Sequence, residues 1–227
     1  MDWFRANSDK VYDLLFSHLW LSALPIVLGF VIALPIGWFA NRHPRLRGTL
    51  LTVAGILYTI PSLALFVVLP SIIGTKILDP LNVVIALTLY AVAIMARSAA
   101  DAFESVSPAV LDAATATGFA ARGRAFLVEL PLAGPVLLAG LRVVSVSTVS
   151  LVSVGALIGV SSLGSLFTEG SRTDNQDEVV IGVVLVVALA LLFDLLLVLA
   201  GRLLMPWASA AHTRRRGLAR LVGGARA

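Results

Sequence analysis

Few residues of this 227-residue chain could carry out chemistry, and they do not converge. The chain has no cysteine, which excludes thiolate metal sites and cysteine nucleophiles. Its three histidines, His18, His43 and His212, lie in different segments, with no i, i+4 pairing and no carboxylate cluster nearby. Neither lysine lies in a Gly-x-x-x-x-Gly-Lys-Ser/Thr phosphate loop. We therefore expect no catalytic residue, no metal site and no cofactor in this chain, and no ATP hydrolysis by the chain alone.

One carboxylate lies inside an apolar segment. Asp194 interrupts residues 179–204, where a charge at a helix centre costs about 2.5–3.5 kcal/mol on membrane-insertion scales. Such a charge either belongs to a translocation path or gate, or has a structural explanation, which is an ion pair with Arg142 or Arg202 or a position near the cytoplasmic interface. The structural explanation is the simpler one, because Asp194 lies past the midpoint of its segment.

A second group of interest is Tyr58, Pro61 and Ser62, inside the apolar residues 48–75. Pro61 frees a backbone carbonyl and favours a bend, which indicates either the wall of a translocation path or a tolerated kink. Aromatic rings can bind quaternary ammonium ions, but the tyrosines and tryptophans are dispersed along the chain. The sequence therefore predicts no aromatic cage.

The elements that position these residues must lie in a bilayer. Hydrophobic residues make up 59% of the chain and charged residues 13%, with a mean hydropathy of +0.96, which excludes an ordinary water-soluble enzyme. A spanning helix needs about 20 mostly apolar residues, and five segments qualify or nearly qualify: 19–40, 48–75, 80–96, 132–163 and 179–204. We predict an all-α integral membrane protein with about five transmembrane helices, the second of which Pro61 and Pro70 are positioned to divide.

The basic residues alternate between loops. One set of loops is rich in arginine: Arg42, Arg45, Arg47, Arg97, Arg122, Arg124, Arg214, Arg215, Arg216, Arg220 and Arg226. The other set holds only Arg5, Lys10, Lys76 and Arg172. The positive-inside rule then predicts an extracytoplasmic segment 1–18, a transmembrane domain 19–206 and a basic cytoplasmic tail 207–227. Because the basic charge marks loops and a tail near the membrane, we expect contact with membrane lipids and none with nucleic acid.

The longest predicted loop, residues 97–131, has a helical pattern. Ser107 and Pro108 are typical of a helix start, and Gly118 is typical of the residue just after a helix end. The alanines between them let another surface approach closely, although alanine is also simply the best helix former. The pattern predicts a short helix parallel to the membrane, for docking or for connection. A second run, 121–130, leads into Pro131 at the expected start of the fourth span.

The stretch DAATATGFAARGRAFLVELP resembles the EAA loop of bacterial ABC-importer permeases, with the motif spacing kept throughout. Aspartate replaces the usual glutamate and valine the usual isoleucine, and both keep the chemical type. The resemblance implies a type I permease fold with a cytoplasmic coupling helix that an ATPase subunit contacts. The matching residues are Asp112, Ala113, Ala114, Gly118, Val128, Leu130 and Pro131.

The resemblance covers about residues 18–206 and is closest to permeases of glycine betaine, carnitine and choline osmoprotectant importers, partly through YTIPSLALFVVLP. It implies a multi-pass protein of the bacterial cell membrane that imports a compatible solute by alternating access. The implied partners are an ATPase carrying ATP and Mg, an extracytoplasmic solute-binding protein, and a second permease chain, identical or homologous. An acidic group in the last outer loop is the candidate contact for the binding protein, or is merely solvated: Glu169, Asp174, Asp177 and Glu178.

Two other functions stay open at this point. The EAA loop alone also fits an ABC importer permease for another small solute, such as an amino acid. A membrane scaffold that moves no solute is the alternative from a different class. The sequence leaves undecided the solute, the identity of the second permease chain and any regulation by osmolarity.

Overall fold

The computed structural model describes residues 2–208, and its regular elements within that range are helices. The predicted basic tail lies outside the described residues from residue 209 onward. The α-helices are α1 Asp2–Ala6, α2 Ser8–Arg42, α3 Pro44–Thr59, α4 Ser62–Ile73, α5 Pro80–Glu104, α6 Pro108–Ala116, α7 Ala121–Arg124, α8 Leu130–Gly155, α9 Gly164–Arg172 and α10 Gln176–Leu204. A π-helical turn, Ala125–Glu129, joins α7 to α8.

The prediction of about five spans is confirmed. Helices α2, α5 and α10 and the continuous run Ala121–Ile158 are each long and apolar enough to cross a membrane. Helices α3 and α4 pass the same test only as a pair and meet at an angle of 100°. The described residues therefore form four long apolar helices and one bent helix pair.

The break in the second span lies at Pro61, as predicted. Ile60 and Pro61 are both extended, with ψ of 128° and 130°. The proline ring disfavours the helical region for Ile60, the residue before it. Pro70 does not divide the segment: it lies buried inside α4, next to buried Leu69. Packing of this turn keeps it helical although one amide donor is missing.

Helix α5 is the centre of the packing. It lies against α2, α3, α4 and α8, and its small residues let the backbones approach closely. A Cβ added to Gly29 of α2 would lie 2.3 Å from the Cβ of Ala91, and one added to Gly37 would lie 2.4 Å from that of Ala99. Helices α2 and α5 therefore behave as one closely packed pair.

Two helices extend beyond the apolar segments predicted as spans three and four. The third span was expected to end at 96, but α5 continues to Glu104, because Arg97 and Asp101 extend the helix beyond its apolar part. The fourth span was expected to start near Pro131, but its helical backbone starts at Ala121. In the π turn, the amide of Leu130 donates to the carbonyl of Ala125, five residues earlier, so the helix widens just before the proline.

Candidate coupling and translocation sites

Helix α6 forms where the sequence predicts a short helix. Pro108 is its first residue, where a missing amide donor is harmless, and Ser107 precedes it without making a side-chain cap hydrogen bond. Gly118 follows the last turn with φ of +94°, in the left-handed region that side chains with a Cβ avoid. The predicted stop at Gly118 is therefore confirmed.

The EAA residues divide between an exposed group and a partly buried one. Asp112 and Ala113 are exposed on α6 and Gly118 just beyond it, whereas Ala114 faces inward and is 8% exposed. Val128, Leu130 and Pro131 are partly buried at the junction of the π turn and α8. The first group is accessible at the surface, and the second group lies where the π turn meets α8.

Glu129, between these residues, is a site residue that sequence reasoning missed. Its side chain is 4% exposed and accepts hydrogen bonds from three donors on two other elements. The sequence signal was weak, because this acid occupies the variable position between Val128 and Leu130 of the motif. Its three donors, at sequence separations of 5, 87 and 91 residues, are Arg124, Arg42 and Trp38.

The acidic group Glu169, Asp174, Asp177 and Glu178 lies at the opposite end of α8, and the structure divides it. The Nζ atom of Lys10 lies 3.0 Å from Oε2 of Glu169 and 3.0 Å from Oε1 of Glu178. Asp174 and Asp177 are exposed. Glu178 is 5% exposed and bound to Lys10, so it has no surface for a docking partner, which corrects its place among the candidate contacts.

Asp194 forms the ion pair that the sequence suggested. Its two carboxylate oxygens accept from Nε and NH2 of Arg142 at 2.6 and 2.8 Å, a bidentate arrangement between α8 and α10. Of the two predicted partners, Arg142 is therefore the one that pairs with Asp194. The pair is not enclosed by this chain, since the side chains are 44% and 27% exposed.

The bend at Pro61 brings two tyrosines together. The rings of Tyr58 and Tyr90 meet edge to face, with centroids 5.9 Å apart, and the Tyr90 hydroxyl donates to the carbonyl of Ile60. That bond satisfies an acceptor beside the break. Sequence reasoning treated these rings as dispersed, because 32 residues separate them and only the bend in the second span makes them neighbours.

A broken apolar span, four long spans and an exposed helix with the EAA spacing define a membrane-embedded subunit of an ABC-type importer. Residues 21–209 match the family described as "Binding-protein-dependent transport system inner membrane component". The chain belongs to this family and is an integral inner-membrane protein, a permease subunit.

Known permeases resemble the chain over nearly its whole length. The carnitine transport permease protein OpuCD of Listeria monocytogenes is 30% identical over 207 residues, 91% of this chain and 92% of its own. The osmoprotectant import permease protein OsmW of Salmonella typhimurium is 34% identical, covering 84% of this chain and 90% of its own. The ergothioneine transport permease/ergothioneine binding protein EgtU of Helicobacter pylori is 36% identical over 172 residues, which are 76% of this chain but 31% of that longer protein.

Solved structures share the fold at lower sequence identity. A chain of the inward-facing MetNI methionine ABC transporter superimposes with a TM-score of 0.79 at 21% identity, covering 88% of this chain and 98% of that chain. An amino acid ABC transporter with histidines gives a TM-score of 0.72 at 18% identity. These matches establish the type I permease fold.

Proposed function

We propose that this chain is the membrane-spanning subunit of an ATP-driven importer for compatible solutes such as glycine betaine, choline, carnitine or related quaternary amines. The observation that carries the proposal is the similarity to carnitine and osmoprotectant permeases over about nine-tenths of both chains. The exposed EAA surface on α6 supports it, since an importer subunit needs a place to receive its energy source.

The ATPase contact is assigned to Asp112, Ala113 and Gly118. These residues are exposed together at one end of the molecule. The separate ATPase subunit would carry ATP and Mg and would be the site of hydrolysis. Differential binding of the ATPase to the inward-open and outward-open states would then drive alternating access.

The contact for the solute-binding protein is assigned to the end of the molecule opposite α6. Asp174 and Asp177 are exposed there, and Glu169 is 44% exposed beside Lys10. In the proposed orientation this end is extracytoplasmic and α6 is cytoplasmic, as the arginine distribution predicts.

The translocation path is assigned to two places. One is the bend with Tyr58, Pro61 and Ser62, where the edge-to-face pair of Tyr58 and Tyr90 lies beside the break between α3 and α4. The other is the face of α8 and α10 with the Arg142–Asp194 pair, since charged groups within spans face a bundle interior or water rather than lipid. A second permease chain, identical or homologous, would complete the enclosure.

Ergothioneine is the second candidate solute, because the ergothioneine permease of Helicobacter pylori is 36% identical over the shared region. Ergothioneine itself carries a quaternary trimethylammonium group. Both candidates therefore require a path for a quaternary amine, and the uptake experiment separates them.

The test is uptake of labelled glycine betaine, choline, carnitine and ergothioneine by cells that lack this chain, at high external osmolarity. The chain is then restored as wild type, as Gly118→Asp or as Gly74→Asp. Gly74 is the matched control because it also follows a helix end with a positive φ, +75°, and also has open space around it. We expect wild type and Gly74→Asp to restore uptake of a quaternary amine and Gly118→Asp to fail. Unchanged uptake of all four solutes after deletion would refute the proposal.

A further inference from the structure

We propose that Glu129 is a positioning residue that connects α6 to the end of α2, so that movement of the ATPase contact reaches a span. The proposal rests on the proposed function, because it takes α6 to be the ATPase contact. It assigns a role in energy coupling to a side chain that does not itself face the ATPase.

Glu129 is the centre of a buried charge network. Its Oε1 accepts from NH2 of Arg42 at 2.6 Å and from Nε of Arg124 at 3.1 Å, and its Oε2 accepts from Nε1 of Trp38 at 3.1 Å. A carboxylate removed from water requires such partners, and charge-assisted bonds of this kind are short and directional. The carboxylate therefore has one defined position relative to two other elements.

One side of the network extends to α6. Arg124 bonds to Glu129 through Nε and to Oγ1 of Thr115 through NH1, the latter at 2.7 Å. Thr115 lies on α6, three residues after Asp112 of the proposed ATPase contact. Because a guanidinium is planar and rigid, displacement of Thr115 moves the groups bonded to the other side of the same fork.

The other side of the network lies on the last turn of α2. Trp38 and Arg42 are one helical turn apart, and the Arg42 guanidinium lies 4.6 Å from the indole centroid in a cation–π contact. Helix α2 packs closely on α5 at Gly29 and Gly37. A force applied to the end of α2 is thus carried by a pair of spans rather than by one loose helix.

The local backbone is also unusual at this point. Glu129 is the last residue of the π turn that interrupts the helix between α7 and α8. Single π-helical turns inside α-helices often occur at functional sites, since they shift the side-chain register by one residue. Here the turn coincides with the only chain connection between α6 and α8.

A second ion-pair network provides the control. Arg47 of α3 binds Asp101 and Glu104 of α5 at 3.0 and 2.7 Å, and Glu104 is 59% exposed. This network lies near the same end of the molecule and includes no residue of α6. Glu104→Gln therefore removes one ion-paired carboxylate, an exposed one, without affecting the proposed connection.

The experiment uses the complete transporter in proteoliposomes, with its ATPase and binding protein. Solute imported per ATP hydrolysed and the Kd for the ATPase are measured for wild type, Glu129→Gln and Glu104→Gln. The ratio is a property of each assembled complex, so a lower yield of folded protein does not change it. We expect Glu129→Gln to lower the ratio about tenfold with an unchanged Kd, the scale of one charge-assisted hydrogen bond, and Glu104→Gln to change it less than about twofold.

Thr115→Val is the second test, used if Glu129→Gln does not assemble. Thr115 is exposed, and loss of its hydroxyl leaves the hydrogen bonds of the buried Glu129 carboxylate in place. This variant should lower the ratio about threefold at an unchanged Kd. A wild-type ratio of solute imported to ATP hydrolysed in the assembled Glu129→Gln complex overturns the inference. If that variant does not assemble, a wild-type ratio for Thr115→Val overturns it. A ratio that falls only together with the affinity for the ATPase also overturns it. Failure of the wild-type complex to import any quaternary amine is a different result, which contradicts the proposed function itself.

Discussion

The two ends of the molecule each contain a buried glutamate, and they hold it differently. Glu129 at the α6 end binds two arginines and a tryptophan, whereas Glu178 at the α9 end binds one lysine, which it shares with Glu169. Helix α2 links the two sites, with Lys10 near its start and Arg42 at its end, about 50 Å apart at 1.5 Å per residue. An arginine fork fixes geometry, while a lysine is a flexible point charge. The comparison indicates one rigid end and one adaptable end.

The largest expected effect is on stability and compares the two buried acids. Glu129→Gln leaves two guanidinium groups without their carboxylate, a change that destabilises by about 3–5 kcal/mol when a buried pair is broken. Glu178→Gln should cost about 1 kcal/mol, because Lys10 keeps its bond to Glu169. Unfolding of both variants by denaturant in lipid nanodiscs provides the measurement. Equal losses for the two variants would remove the distinction between the ends.

A second pair of variants compares the tryptophans at the same two sites. Trp38→Phe removes an indole donor to a buried carboxylate and should cost about 1.5–3 kcal/mol. Trp3→Phe keeps an aromatic ring in the apolar cluster that Trp3 packs against and weakens a cation–π contact in which the Lys10 ammonium lies 5.8 Å from the ring centroid, with an expected cost of about 0.5 kcal/mol. The same unfolding assay measures both. A larger effect at Trp3 than at Trp38 would reverse the comparison.

These contrasts also show what the sequence could and could not predict. Pro61, Gly118 and the apolar runs act through residues next to them in the chain, so the bend, the end of α6 and the number of spans followed from local patterns. The burial of Glu129 depends on donors 87 and 91 residues away, and that of Glu178 on Lys10, 168 residues away. No local pattern encodes such pairs.

Asp194 and Tyr90 illustrate the boundary between these two cases. The charge of Asp194 in an apolar span required a partner, which limited the choice to two arginines, and the fold selected Arg142. Tyr90 gave no comparable signal, because its contact with Tyr58 and its bond to the Ile60 carbonyl exist only after the second span has bent. The need of a charge for a partner is therefore predictable from the sequence, whereas the donor that satisfies the Ile60 carbonyl is set by the fold.

Salt provides a third and smaller test of the comparison. Lys10→Met should be less destabilising at 1 M salt than at 0.1 M, because the screening length falls from about 10 Å to about 3 Å and the Lys10–Glu169 pair is accessible to solvent. Arg124→Met, which affects a buried carboxylate, should lose the same stability at both concentrations. The free energies of unfolding of both variants are compared with wild type at each salt concentration. A salt-dependent loss for Arg124→Met is the result that the account does not allow.

The smallest expected effect is that of Glu169→Gln. Its carboxylate is 44% exposed and Glu178 still binds the same ammonium group, so the stability should change by less than about 1 kcal/mol. Affinity for the solute-binding protein should fall more than stability does if Glu169 belongs to the proposed outer contact. Titration of the binding protein onto nanodisc-embedded transporter, beside the unfolding assay, separates these two quantities.

The most direct test of the central claim uses the absence of natural cysteines. A single cysteine in place of exposed Ala113 on α6 is modified with a bulky maleimide in lipid nanodiscs, where both membrane faces are accessible, with and without the ATPase subunit. The account predicts that the ATPase protects this cysteine and that modification before assembly abolishes ATP-driven transport of glycine betaine in proteoliposomes. A cysteine in place of Asp177 should be modified equally with and without the ATPase. Modification of Ala113→Cys at the same rate with bound ATPase, together with full transport by the modified chain, would contradict the claim that α6 receives the energy for import.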